Sequence, residues 1–371
     1  MVQVLLIIEV IVAWAVLTAI QYPLRKEGHR NLRIAVFLLK VILIPIIALL
    51  AISIEWFVAY ADEDILCALY IALIGDVIAS LAEYIIRRLR TWGEDDGSRH
   101  GYDYRIGMPL GLCLCIVVLA FAATNADSIG PDHHDWQADG LEREHTFAFA
   151  ADLHTGGYMS MDAVREFCKQ VNESDAEFLI LGGDITDEHT SFADMVETYR
   201  IFSTIDIPTY LIYGNHDRQP GGHYVGGRTY TDEQLLDAIH DAGITLLVDE
   251  YVQVADDLVL LGREDISVGD ARKPWSELVN PYGSGALIVA DHQPYDTEQL
   301  KMERSVLQLS GHTHAGQLWP LCLIYNMLGY PAYGDYWYPG THLYVTPGLG
   351  GWAPPLRTEA HSAWELITLH P

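Results

Sequence analysis

Five short apolar runs in the C-terminal two thirds of this 371-residue chain each stop abruptly at His, Asp or Asn, and that repeated ending restricts the fold more than any other feature. Asp152 and His154 follow the run at 146–151, and Gly183, Asp184 and Asp187 follow 178–182. Gly214, Asn215, His216 and Asp217 follow 209–213; Asp291 and His292 follow 286–290; Gly311, His312 and His314 follow 305–309. Apolar runs of this length, closed by turn-forming residues, read as buried strands. Further strands are predicted at 244–248, 258–262, 342–346 and 363–369, with helical patterns at 161–173, 190–204, 232–242 and 296–303. Strand–helix alternation predicts an α/β layered domain. In such domains sites form beyond the carboxyl ends of strands, where the recurring polar residues stand.

Carboxylates, several imidazoles and one amide, with no thiolate among them, make a mixed nitrogen and oxygen donor set. It suits Mn²⁺, Fe, Zn²⁺ or Co²⁺ better than Ca²⁺ or a thiolate zinc site. The ligands are enough for two ions and too many for one. Two divalent ions roughly 3.5–4 Å apart, sharing a carboxylate, clamp the attacking and leaving oxygens of a phosphoryl displacement. No GxSxG nucleophile elbow is present, so a Ser/His/Asp mechanism has little support.

With ADLH at 151–154, GGDITD at 182–187, GNHD at 214–217, DHQP at 291–294 and GHTHAGQ at 311–317, the chain from about 145 onward resembles the calcineurin-like metallophosphoesterases. The GHTHAGQ ending and the 343–357 run look like the membrane-associated branch of that family. The resemblance implies a four-layer α/β/β/α sandwich. It implies that Asp152, His154 and His314 hold a first metal, that Asp184 bridges, and that Asn215, His292 and His312 hold a second, with Mn²⁺ favoured. His216 matches the histidine that faces the scissile phosphate, and Asp187 the carboxylate that orients it. Arg357, in a Pro-Pro-x-Arg-like position, and Arg218 are candidate phosphate contacts. The implied nucleophile is a hydroxide activated by both ions. Ala151 stands where the branch usually has Ser, which removes a hydroxyl but no ligand.

Charge is divided sharply. Residues 1–125 carry 10 Lys+Arg against 12 Asp+Glu, a net of −2, whereas residues 126–371 carry 12 against 38, a net of −26. So acidic a surface repels phosphate backbones, which excludes nucleic acid as an expected partner. It also suits high ionic strength, where screening removes the self-repulsion. The five Cys contain no CxxC pair, so neither a zinc ribbon nor a disulfide framework is indicated.

The first 125 residues read as a four-helix transmembrane domain, joined by a linker at 126–143 to the catalytic domain at 144–371. Apolar stretches at about 3–21, 34–58, 66–86 and 106–124 each approach the roughly 20 residues that cross a bilayer. The basic residues Arg25, Lys26, Arg30 and Arg33, and again Arg87, Arg88, Arg90, Arg99 and Arg105, fall in alternate connections. Both termini, and the catalytic domain, are thereby expected outside the cytoplasm of a cell-membrane protein. Asp76, near mid-span, reads as an interior hydrogen-bond partner or part of a transport or sensing path.

Two loops are expected to choose the substrate. The Gly-rich stretch 218–230 is long enough to act as a lid. The aromatic stretch 318–339 either dips into the outer membrane interface, where Trp and Tyr are favoured, or packs on the protein. The expected function is hydrolysis of a phosphodiester or pyrophosphate, lipid-linked substrates included. The alternatives are a phosphomonoesterase or protein phosphatase, and a metal-binding membrane sensor or transport accessory without turnover. A catalytic histidine in addition to a full ligand set argues against a sensor.

Overall fold

Hydrogen bonding gathers the strands into two six-stranded mixed sheets. In this computed structural model the described residues are 85, 117, 118, 120–218, 228–283, 285–294, 306–351 and 355–371. The four apolar stretches lie outside them, apart from residue 85 and the end of the fourth, as do the helical pattern at 296–303 and most of 218–230. Among the described residues no helix is long and apolar enough to cross a membrane.

The first sheet runs in the order β1 (Gly130–Gln137), β12 (Ala363–His370), β2 (His145–Ala150), β3 (Leu179–Leu181), β4 (Thr209–Leu211), β5 (Thr245–Leu246). The second runs β10 (Gly334–Tyr338), β11 (Thr341–Val345), β9 (Val306–Ser310), β8 (Ala286–Ala290), β7 (Leu258–Gly262), β6 (Glu250–Ala255). The strands β2 to β5 are mutually parallel, and so are β7, β8, β9 and β11, which aligns their carboxyl ends.

Side chains of successive strand residues point to opposite faces, and β2 divides its apolar residues accordingly. Phe147, Phe149 and Ala151 enter the core between the sheets with Ile180, Ile288, Leu260 and Leu309. Ala148 and Ala150 enter the outer core instead. There they meet Val164 and Phe167 of α1 (Met161–Glu173), Met195 and Tyr199 of α2 (Phe192–Phe202), and Leu235 and Ile239 of α4 (Asp232–Asp241). A strand buried on both faces has no polar side to alternate, which is why these runs are continuously apolar. The outer face of the second sheet buries Val259, Leu261, Leu287 and Val289 against Tyr251, Trp275 and Leu278. These three helices each start on a side-chain cap: Ser160 for α1, Ser191 for α2, and Thr231 in a reciprocal capping box with Gln234 for α4.

Two expectations need correction. The 126–143 segment is not a linker, because Gly130–Gln137 pairs in parallel along the whole of β12, from Gly130 opposite Ala363 to Gln137 opposite His370. The compact unit begins at Ala122. The 318–339 stretch is not a loop either. It contains the helix α5 (Leu321–Met327) and the strand β10, which pairs antiparallel with β11.

Candidate dinuclear metal centre

The turns that leave β2, β3, β4, β8 and β9 carry the side chains expected to bind metal. Asp152, His154 and His314 each offer a ligand atom within 4.8 Å of the others, and Asp184, His292 and His312 do the same. The groups meet at Asp184, whose Oδ2 lies 3.9 Å from His154 Nε2 and 3.0 Å from His292 Nε2. One carboxylate thus faces ligands of both groups, as a bridging position requires. Asn215 opens the single-turn helix α3 (Asn215–Arg218), and the backbone N–H of the next residue, His216, donates to Asp184 Oδ1 at 2.7 Å.

The donor atoms themselves test whether a cation fits. His154 Nε2 and Asn215 Oδ1 are buried and make no hydrogen bond, and the buried His292 Nε2 has the Asp184 carboxylate beside it. Burying polar atoms unpaired is costly, so two such atoms on predicted ligands fit an ion as their partner. His292 Nδ1 is fixed 2.9 Å from the Gly182 carbonyl, which orients the ring and leaves Nε2 for coordination. Burial, followed by the neighbouring His292, pushes the His312 imidazole down to about 3. Burial, followed by His154, pushes His314 well below its usual range. Both rings are held in the neutral form that a ligand needs.

The backbone is bent to make this possible. Eight non-glycine residues among those described have left-handed φ, and five of them are Asp152 (59°), His154 (47°), Asp184 (52°), His312 (72°) and His314 (50°). Left-handed backbone at non-glycine residues costs energy and persists where the surroundings over-determine it, characteristically at sites. Two motif glycines allow the close approach. A Cβ on Gly214 would stand 2.2 Å from Asp184 Oδ1, and one on Gly311 would stand 2.4 Å from Asp152 Oδ2. Asp217 clamps the β3 and β4 turns together by accepting the backbone N–H groups of Asp184, Ile185, Thr186 and Gly214 at 2.8–3.0 Å. Sequence reading placed Asp217 after a strand but saw no role for it, since only the folded turns bring those four donors together.

His216 is buried beside this centre and belongs to neither ligand group. Burial lowers its affinity for a proton, but Asp184 and then Glu188 outweigh that and raise the imidazole to about 9. Its Nδ1 lies 2.8 Å from Glu188 Oε2. The expectation that Asp187 orients His216 is therefore corrected. Asp187 Oδ1 accepts the His189 and Thr190 N–H groups. That turns its Oδ2 toward His154 Nδ1, 3.4 Å away. The adjacent Asp187 and Glu188 were the sequence signal for such a support, and only the fold tells the two apart.

Both candidate phosphate contacts are engaged with protein groups. Arg357 is fully buried, and its guanidinium donates to the carbonyls of Pro347 and His361 and closely to that of Gly350. It fastens the strand-end turn that carries Gly348 and Gly350 against Asp152 and Leu153. Arg218 pairs closely with Glu264 and lies over the Tyr213 ring, 4.1 Å from its centroid. Asp291, one residue before His292, accepts both terminal nitrogens of Arg272 at 3.0 and 2.6 Å.

Comparison with known proteins agrees with this geometry. The family described as calcineurin-like phosphoesterase matches residues 145–316. An uncharacterised metallophosphoesterase of Helicobacter pylori is 28% identical over 242 residues, covering 63% of this chain and 62% of its own. A transmembrane protein with metallophosphoesterase domain from Danio rerio is 27% identical, covering 59% of this chain and 52% of its own. The phosphodiesterase YaeI of Escherichia coli is 26% identical, covering 54% and 74% respectively. The chain thus spans under two thirds of the first two relatives. Residues 145–316 are thus similar to the calcineurin-like phosphoesterases, and the relatives that match are named as metallophosphoesterases or as a phosphodiesterase.

Proposed function

We propose that this protein is a membrane-anchored phosphodiesterase or pyrophosphatase that works with two divalent metal ions, Mn²⁺ favoured, and faces away from the cytoplasm. Asp152, His154 and His314 hold one ion, Asn215, His292 and His312 the other, and Asp184 bridges. The observation that carries the reading is Asp184 facing ligands of both groups, with His216 beside it and outside either group. The ions, when bound, supply Lewis-acid polarisation of the phosphoryl group and lower the pKa of water. The protein supplies the rest. His216, held on Nδ1 by Glu188, presents its other nitrogen to give a proton to the leaving oxygen. Asp184 and Glu188 raise the imidazole above its ordinary range, so it carries at neutral pH the proton to be given, and cations held beside Asp184 would lower that value. Membrane anchoring is supported by the four apolar stretches and by the name of the Danio rerio relative, and the diester preference by the name of the Escherichia coli relative.

The test is turnover by the detergent-purified full chain, stripped by chelation and resupplied with Mn²⁺, against bis-p-nitrophenyl phosphate and the corresponding monoester. The diester should be preferred. Asp184→Asn should lose metal and activity together. His216→Ala should keep both ions and lose activity by roughly 10²–10⁴-fold, the usual contribution of a general acid. Protein that binds two ions and hydrolyses neither ester would overturn the reading in favour of a sensor. Preference for the monoester would favour the phosphomonoesterase.

A further inference from the structure

The strand end that delivers His314 runs directly into an apolar element whose outer face is uncovered among the described residues. Trp319, Leu323, Met327 and Leu328 are 55%, 53%, 79% and 66% exposed. Positions 323, 324, 327 and 328 lie on one side of a helix by its 3.6-residue period, so α5 presents a single apolar face to the outside. From 318 to 339 there is one charged residue, Asp335, and no Lys or Arg. Singly exposed apolar side chains need no explanation, but a contiguous face of them marks a docking surface.

The place where the chain leaves the domain indicates what covers it. The fourth apolar stretch ends at about residue 124. The residues at and just past its end are stitched to the C-terminal segment: Arg357 N–H donates to the Ala122 carbonyl at 3.0 Å, and the Asn125 side-chain amide donates to the Arg357 carbonyl at 3.2 Å. The Ser362 hydroxyl donates to the Ala126 carbonyl at 2.8 Å. The same segment holds the root of α5, because Thr358 N–H donates to the Gln317 carbonyl at 3.0 Å and Trp319 N–H to the Thr358 hydroxyl at 2.7 Å. Residues 357–358 thus tie the end of an apolar stretch of membrane-spanning length to the start of an exposed apolar helix.

We propose that the outer face of α5 lies in the interfacial layer of a lipid bilayer, the one into which the fourth apolar stretch runs. The proposal rests on the membrane-anchored reading above. Trp319 and Tyr330 have the amphipathic ring chemistry of the interface, while Leu323 and Met327 reach into the acyl region. With no basic residue on the element and a chain net charge of −28, the contact is apolar and not electrostatic. Zwitterionic lipid therefore suffices, and added salt leaves the contact in place. Gly316, whose Cβ would stand 2.4 Å from Cys322 N, locks the start of α5 against the turn that bears His314, which places the metal centre beside this contact.

The test uses the full chain in vesicles of brominated phosphatidylcholine, whose bromines quench Trp emission by contact. Trp319→Phe should lower the quenched fraction of emission and Met327→Trp should raise it, and neither effect should change with salt. The variants act in opposite directions, so a folding defect cannot imitate the expected pair. Added or removed emission that is unquenched and red-shifted places α5 in water. Unquenched, blue-shifted emission places it under protein, whether another part of this chain or a second copy. Either result overturns the proposal while leaving membrane anchoring intact. Failure of the full chain to float with the vesicles after an alkaline carbonate wash would instead overturn the anchoring, and this proposal with it.

Discussion

His216 and Glu188 stand 2.8 Å apart, while Asp187 stands 3.4 Å from His154. Two adjacent carboxylates thus support two different imidazoles, one expected to move a proton and one expected to hold a metal. Removing such a support commonly costs 10–100-fold in activity or metal affinity. The two variants should divide accordingly. Glu188→Gln should lower kcat by about 10–100-fold with the metal content and KM little changed, and Glu188→Asp should recover part of it. Asp187→Asn should raise the Mn²⁺ concentration needed for half-maximal activity and leave kcat at saturating metal near wild type. Steady-state kinetics across a metal titration separates them, and the reverse pattern would return the orienting role to Asp187. At this scale the candidate ligand residues were legible because metal-ligand residue types recur after five separate apolar runs. The direction of each carboxylate was not legible, because the backbone N–H groups of His189 and Thr190 settle the rotation of Asp187 only once the turn is folded.

Nine strands were legible in the sequence, and the three missed, β1, β6 and β10, all lie at sheet edges. An edge strand has neighbours on one side only and need not be apolar throughout. In β1 half-buried and exposed positions alternate among Gly, Pro, Asp and His, a composition that reads as a linker. Pro131 is tolerable there because an edge has a side whose N–H groups need no partner. A second interaction invisible to periodicity joins the sheets at the other end. Asp257, in the turn between β6 and β7, accepts the Glu142 N–H at 2.6 Å and lies 2.8 Å from Nε2 of the buried His145 that begins β2. Burial pushes the Asp257 carboxyl up, but the Glu142 N–H and then His145 outweigh it and hold it at about 2. The folded value lies below the unfolded one, so this contribution is present above about pH 4 and is lost as the pH falls through about 2. Asp257→Asn should cost about 1–2 kcal/mol at pH 7. Thermal midpoints measured from pH 7 to pH 2 should show that cost shrinking to nothing at the acid end.

Across the whole molecule, a net of −26 on residues 126–371 must be carried by a surface with few compensating cations. Self-repulsion of this kind destabilises a folded chain until salt screens it. The thermal midpoint of the detergent-solubilised protein should therefore rise between low salt and about 1 M KCl, where the screening length falls to about 3 Å. An unchanged midpoint would count against the acidic surface as a stability determinant. By itself the sequence determined the α/β class, the strand ends that bear the candidate ligands, the residue types of the candidate metal centre and the division of charge. These depend on local pattern, on which runs are apolar and on the polar residues that close them. Only the tertiary structure decided that Asp184 faces both ligand groups, that Glu188 and not Asp187 supports His216, and that Arg357 is a buried fastening. Those outcomes depend on the direction of single side chains between turns far apart in the chain, and packing and hydrogen bonding set that direction only when the sheets are assembled.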